Sequence, residues 1–374
     1  MTGVQTCALP IYRRYVSRDY LLSHVVTNDR VKENVDCLYS VTCALAWLDR
    51  PTDSDVPRPH PPRKALKVDI IVIADGQGEM QRCVHLPATD EWYLLPAATE
   101  RQKHSMEDVV CTTVSCEGKV FFITFNLARS QCYDPHLNRW SPAPWTDNLA
   151  FQTGRALVVK NRICLLGVER HWTDLWTYSF DSNSFTPLRK WVEICCFCVV
   201  AVESYLYVIG GSKELNSQGL LSECARFDTE ENEWQKIAPL NQPRTNAFGV
   251  CKNEKIFIAG DSANFGTEAM LKTCEAYNVL TDEWHFIASL TFPRLFGSMV
   301  LVEDTLYVLG GFTRGRECRY KVECYNRESD EWNVKTTVSV NKIAIKKEHK
   351  TGYAFQGCYL RVCYGVLTNL ESIE

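Results

Sequence analysis

Short apolar runs closed by polar turns recur along the chain from residue 67 onward, and residues 245–290 show the unit most plainly. "AFGVCK", "KIFIAG", "CEAYNV" and "EWHFIA" read as four short strands. The polar stretches "KNEK" and "LTDE" suit tight hairpins between them. The second run ends in glycine, where a chain bends and backbones approach closely. That run returns as "LYVIGG" at 206–211 and "LYVLGG" at 306–311, with a worn copy, "IFIAGD", at 256–261. Gly210, Gly260 and Gly310 are therefore 50 residues apart, and Gly211 and Gly311 complete two doublets.

Tryptophan keeps the same beat. Trp92, Trp140, Trp234, Trp284 and Trp332 are separated by 48, 94, 50 and 48 residues, and Phe185 stands where the double gap needs a sixth anchor. Seven residues before the anchors come His85, Tyr133, Tyr178, Phe227, Tyr277 and Tyr325. Glu91, Glu233, Glu283 and Glu331 immediately precede four of them. A period of ~50 residues indicates a repeat architecture. "YVIGG", then an aromatic, then "ENEW" resembles the kelch repeat over roughly residues 67–335. The resemblance implies an all-β fold, a six-bladed kelch β-propeller in which four-stranded sheets arranged radially leave few exposed edges. The first unit lacks an opening strand. The tail "AFQGCYLRVCYGVL" is expected to supply it, giving a propeller over 67–366 and a terminal tail at 367–374. "SVNKIAIKKEHKTG", just before, departs from the repeat pattern.

Upstream the period changes. Val31, Val35, Leu38, Val41, Leu45 and Leu48 fall three or four residues apart and mark one face of a helix. Asn28 or Asp29 can cap it. Five of the 15 prolines then fall at Pro51, Pro57, Pro59, Pro61 and Pro62, so residues 50–66 read as a linker. Residues 1–11, "MTGVQTCALPI", resemble the in-frame translation of a sequencing adapter and are left out of the fold, with the native N-terminus expected upstream. Within 12–49, "VSRDYLLSHVVTNDRVKENVDCLYSV" resembles the end of the BACK helical domain of BTB–kelch proteins. That resemblance implies a substrate adaptor of a cullin-RING ubiquitin ligase. The propeller would hold a protein substrate. A BTB domain, expected further upstream, would form a homodimer and bind the cullin-three scaffold. The alternative is an actin-binding, cytoskeletal or other interaction propeller unconnected to ubiquitin. A cytoplasmic location is expected, with the nucleus left open.

Composition narrows the partners. The 374 residues carry a formal net charge of −4, so no basic excess draws nucleic acid, and no apolar run reaches membrane-spanning length. The 18 cysteines are scattered, and "CCFC" at 195–198 has no matching half for a zinc site. They read as reduced thiols packed as small apolar residues. The eight histidines are isolated, and no His-Glu-x-x-His, Gly-x-Ser-x-Gly or phosphate-loop motif occurs. Neither enzymatic activity nor a cofactor or metal is expected.

In a four-stranded meander the first and third turns share one face, and the middle loop and the link to the next unit share the other. The second set is long here: "SKELNSQGLLSE", "SANFGTEAMLKT" and "TRGRECRYK". Long loops on a rigid scaffold carry function, so this is the expected binding face. Arg244 and Arg294 each lie ten residues after a tryptophan anchor, with Lys342 at the same offset from Trp332. Asn246, Phe296, Arg314 and Arg316 complete the candidate substrate-binding set. Two readings of the arginines stand open: a planar donor fork for substrate carboxylates, or an ion pair with a neighbouring blade.

Overall fold

The structure is a computed structural model. It describes residues 67–75, 83–96, 110–124, 130–135, 137–145, 151, 153–169, 172–188, 194–213, 219–260, 270–295, 297–311, 321–337, 355–363 and 371–373. The expected helices, the proline linker and the first eleven residues lie outside these. The chain divides into two compact units, and the larger is Asp69–Val362 with Asn369–Glu374.

The described strands form six sheets. The first contains β1 (Lys67–Asp75), β2 (Cys83–Leu86) and β3 (Glu91–Leu94). Five four-stranded sheets follow, each built from consecutive strands. The first of these has β4 (Val110–Cys116), β5 (Lys119–Thr124), β6 (Gln131–Asp134) and β7 (Arg139–Pro142). The next has β8 (Thr153–Val159), β9 (Arg162–Glu169), β10 (Trp172–Ser179) and β11 (Ser184–Pro187). Then come β12 (Cys198–Val202), β13 (Tyr205–Ser212), β14 (Leu220–Asp228) and β15 (Glu233–Ile237). β16 (Phe248–Lys252), β17 (Lys255–Ala259), β18 (Cys274–Asn278) and β19 (Glu283–Ile287) match the four runs read in residues 245–290. The last has β20 (Ser298–Val302), β21 (Thr305–Leu309), β22 (Lys321–Asn326) and β23 (Glu331–Thr337). β24 (Phe355–Cys363) lies beside β1, and β25 (Glu371–Ile373) lies beside β3.

The fold is an all-β propeller, and its core lies between sheets. Val114 and Phe121 of one sheet pack with Ile163 and Tyr178 of the next. Leu166 and Leu175 meet Leu206 and Phe227, Val200 and Tyr207 meet Ile256 and Tyr277, and Ala259 meets Val308 and Trp332. Ile71 and Trp92 of the first sheet share a cluster with Val300 and Tyr307 of the last four-stranded sheet.

The repeated aromatics explain how each sheet is locked. His85 faces Trp92 and Tyr133 faces Trp140, as Tyr178 faces Phe185. Phe227 faces Trp234, Tyr277 faces Trp284 and Tyr325 faces Trp332 in the same way. In every case the seven-residue offset makes them directly opposed cross-strand partners, with ring centroids between 4.4 and 5.1 Å apart. Such pairs contribute about 0.5–1.5 kcal/mol beyond simple burial. The turn between them places Asp90, Asn138, Asn183, Asn232, Asp282 and Asp330 at positive φ, a backbone state that Asn and Asp tolerate best. That geometry aims the short side chain back at the aromatic. Tyr133, Tyr178, Tyr277 and Tyr325 each donate their hydroxyl to it, at 2.8, 2.9, 2.7 and 2.6 Å. His85 uses Nε2 in the same position, 2.8 Å from Asp90. The tryptophans also clamp the preceding sheet. Trp140, Trp284 and Trp332 donate their indole N–H to the carbonyls of Pro96, Ala238 and Ala288.

The glycine doublets have an equally local cause. Gly210 sits at φ 61°, and a Cβ there would lie 2.6 Å from the Arg244 carbonyl. At Gly211, with φ 110°, it would lie 2.7 Å from the Cys195 carbonyl. The connection into the next sheet, at Gly210, and the connection into its own sheet, at Gly211, pass so close to the end of the second strand that only glycine fits.

Candidate partner-binding face

Arg244 and Arg294 lie late in the connections into the β16–β19 and β20–β23 sheets, and both are fully buried. Arg244 Nη2 lies 2.8 Å from Glu275 Oε1, and Arg294 Nη2 lies 2.7 Å from Glu323 Oε1, with all four side chains unexposed. The guanidinium groups also donate to carbonyls at the end of the second strand and the start of the third: Arg244 to Gly260 and Thr273, Arg294 to Gly310 and Lys321. The carboxylates have further donors. The backbone N–H of Asn241 donates to Glu275 Oε2 at 2.9 Å, and that of Thr291 to Glu323 Oε2 at 2.7 Å. The Arg244 carbonyl meanwhile accepts from Gly211 N–H, in the preceding sheet, at 2.9 Å. Of the two readings left open by the sequence, the geometry follows the ion pair. As substrate contacts Arg244 and Arg294 are corrected: each ties one sheet to the next from inside, where a surface ligand cannot reach.

The partner was visible in the spacing. Glu275 and Glu323 stand nine residues before Trp284 and Trp332, so arginine ten after one anchor pairs with glutamate nine before the next. The preceding junction confirms the logic. Cys195 is ten after Phe185, and Ala225 is nine before Trp234. Where the arginine is missing the glutamate is missing too, and both replacements are uncharged and buried. A buried charge without its partner is costly, so the pair is kept or lost together.

Asn246 is half-buried at positive φ, just before β16, and its N–H donates to the Cys196 carbonyl. Phe296, Arg314, Arg316 and Lys342 lie outside the described residues. Asn246 borders a cavity of about 520 Å³ enclosed by the innermost strands β4, β8, β12, β16 and β20. Two of its lining residues were not singled out by sequence reasoning. Arg155, third residue of β8, is half-buried and has no ion-pair partner among the described residues; its guanidinium donates to the carbonyl of Gly154 at 3.0 Å. Thr113 of β4 is 6% exposed, and its hydroxyl has no hydrogen-bond partner. Arg155 lies toward the end of its strand nearest the long loops, and Thr113 lies at the middle of its own. Nothing in the repeat pattern marks them, because an innermost strand alternates between core and channel and any side chain that fits the channel is tolerated.

The buried cysteines among the described residues are chemically quiet. Burial pushes Cys83, Cys198, Cys224 and Cys274 up to about 12, and Cys116, Cys132 and Cys164 up to about 11. Among the described residues no group of His, Cys, Asp and Glu is placed to hold a metal ion, and no helix is long and apolar enough to cross a membrane.

The Kelch motif matches residues 194–241 and 293–338, covering the β12–β15 and β20–β23 sheets. Two stretches of the chain thus carry the Kelch motif, and the chain is similar to kelch-like proteins. It is 27% identical to Kelch-like protein 23 of Homo sapiens, and equally to that of Pongo abelii, over 34% of this chain and 23% of the relative. It is 23% identical to Kelch-like protein 35 of Mus musculus over 40% of this chain and 25% of the relative. The chain thus spans about a quarter of the length of these curated relatives. The solved structure of YjhT shares the fold, with a TM-score of 0.50 at 13% identity, covering 68% of this chain and 94% of that one.

Proposed function

We propose that this kelch-like chain is the substrate-recognition part of an adaptor for a cullin-RING ubiquitin ligase. The observation that carries the reading is the channel between the innermost strands, where Arg155, Asn246 and the Thr113 hydroxyl line a cavity of about 520 Å³. A half-buried cation and an unmet hydroxyl beside open space suit a polar or acidic group of a protein partner. Phe296, Arg314, Arg316 and Lys342 remain proposed contact residues on the strength of the sequence alone. The propeller on this reading is a six-bladed ring. Support comes from the six sheets, from β24 beside β1, and from the shared core of the first and last four-stranded sheets. Cullin-three contact and dimerisation belong to a BTB region upstream, and the helices of 12–49 to a BACK domain. The protein works in the cytoplasm.

Affinity capture of the full-length protein from cells tests this reading. The adaptor reading expects cullin-three together with a protein whose level falls when the adaptor is overproduced. Cosedimentation with actin filaments, without cullin-three, would move the assignment to a cytoskeletal propeller.

A further inference from the structure

The opposite face of the propeller carries a second, differently built cleft. It lies between the β16–β19 and β20–β23 sheets, on the side of the short turns, and encloses about 170 Å³. Lys252 and Lys255 flank the hairpin turn between β16 and β17, and they are directly opposed cross-strand partners. Like charges so placed repel. Lys252 is compensated: its ammonium lies 3.1 Å from Asp304 Oδ1 and also donates to the Asp304 carbonyl. Lys255 has no ion-pair partner among the described residues, and neither has Arg327, which reaches the cleft from just beyond β22. Between these cations the floor is apolar, made by Phe257, Leu306 and the ring of Tyr325, whose hydroxyl is already engaged by Asp330. Of the acidic residues in the same turns, Asp304 lines the cleft beside Lys252, whereas Glu254 and Glu303 do not.

We propose that this cleft docks an acidic peptide segment of a partner protein, in which one aliphatic or aromatic side chain covers the floor and adjacent carboxylates meet Lys255 and Arg327. The cleft has room for a single large side chain, and its uncompensated charge is positive in a chain whose net charge is −4. That local reversal supplies the charge complementarity that selects an acidic segment. The site is independent of the channel between the innermost strands, with which it shares no lining residue.

The test is fluorescence anisotropy with the full chain and a labelled Glu-Leu-Glu-Phe-Glu peptide, beside its Gln-Leu-Gln-Phe-Gln counterpart, at about 0.02 M and about 0.5 M salt. The acidic peptide should bind, weaken at high salt, and lose about tenfold or more in affinity on Lys255→Glu/Arg327→Glu. Lys236→Glu, an exposed change on another sheet, should leave binding intact, and all variants should melt as the wild type does. The proposal is overturned by no binding at about 1 mM protein, by equal binding of the glutamine peptide, or by an equal loss in Lys236→Glu. A loss confined to Arg155→Ala would also overturn it, by moving the peptide to the channel.

Discussion

Arg294 and Glu323 form a buried pair in which one carboxylate oxygen accepts from both Nε and Nη2, at 3.0 and 2.7 Å, with neither side chain exposed to solvent. The pair joins the connection after β19 to the third strand of the next sheet. Removing one partner should therefore cost far more than removing both. Arg294→Met is expected to destabilise by about 3–5 kcal/mol, and Arg294→Met/Glu323→Leu to recover most of that loss. Urea unfolding of the two variants and the wild type measures it. The uncharged Cys195 and Ala225 at the equivalent junction already show that the fold tolerates a neutral pair.

The glycine doublet makes a sharper steric prediction. Gly211→Ala would place a methyl group 2.7 Å from the Cys195 carbonyl at a φ of 110°. The clash and the backbone strain together should cost more than about 2 kcal/mol. Gly118→Ala, in a turn with open space around it, should cost only the strain of its positive φ, about 1 kcal/mol. Thermal unfolding of the two variants should separate them clearly.

His85 gives a pH dependence. Burial holds its pKa below the usual histidine value, with Lys335 adding to the effect, while the hydrogen bond and charge of Asp90 partly offset it. A folded-state pKa below the unfolded one means that the unfolded chain binds the proton more readily. This contribution is therefore fully favourable above about pH 6.5 and is lost as pH falls through that value toward the folded-state pKa. His85→Tyr, which restores the residue found in four of the other sheets, should flatten the stability profile between about pH 5 and 7. An unchanged slope would show that the imidazole does not titrate there.

Much of the fold was legible because the repeat states it several times. The seven-residue offset from aromatic to tryptophan fixed a cross-strand pair, and the run-and-turn pattern of 245–290 matches β16–β19 within one residue at each end. The site was less legible. For Arg244 and Arg294 the sequence left a surface donor and an ion pair equally open, because arginine is most often exposed and the glutamates that bury them lie in other strands. Only the joint offset of Arg and Glu from successive anchors reveals the pair. Arg155 and Thr113 carry no signal of their own, since facing the channel depends on which strand is innermost.

Thiol chemistry should follow burial. With Cys198, Cys224 and Cys274 pushed up to about 12, almost no thiolate is present at neutral pH. A disulfide reagent at about pH 8 should leave these three unmodified in the folded protein and react fully once it is unfolded in denaturant. Mass spectrometry of peptides from the two samples reports each site.

The most direct test of the account compares partner capture by the wild type, by Arg155→Ala and by Arg244→Met/Glu275→Leu, each first shown to be folded by its melting curve. The account predicts that Arg155→Ala loses a partner that both the wild type and the buried-pair variant retain. Retention of every partner by Arg155→Ala, with loss in the buried-pair variant, would contradict it and return the binding role to the arginines of the connections.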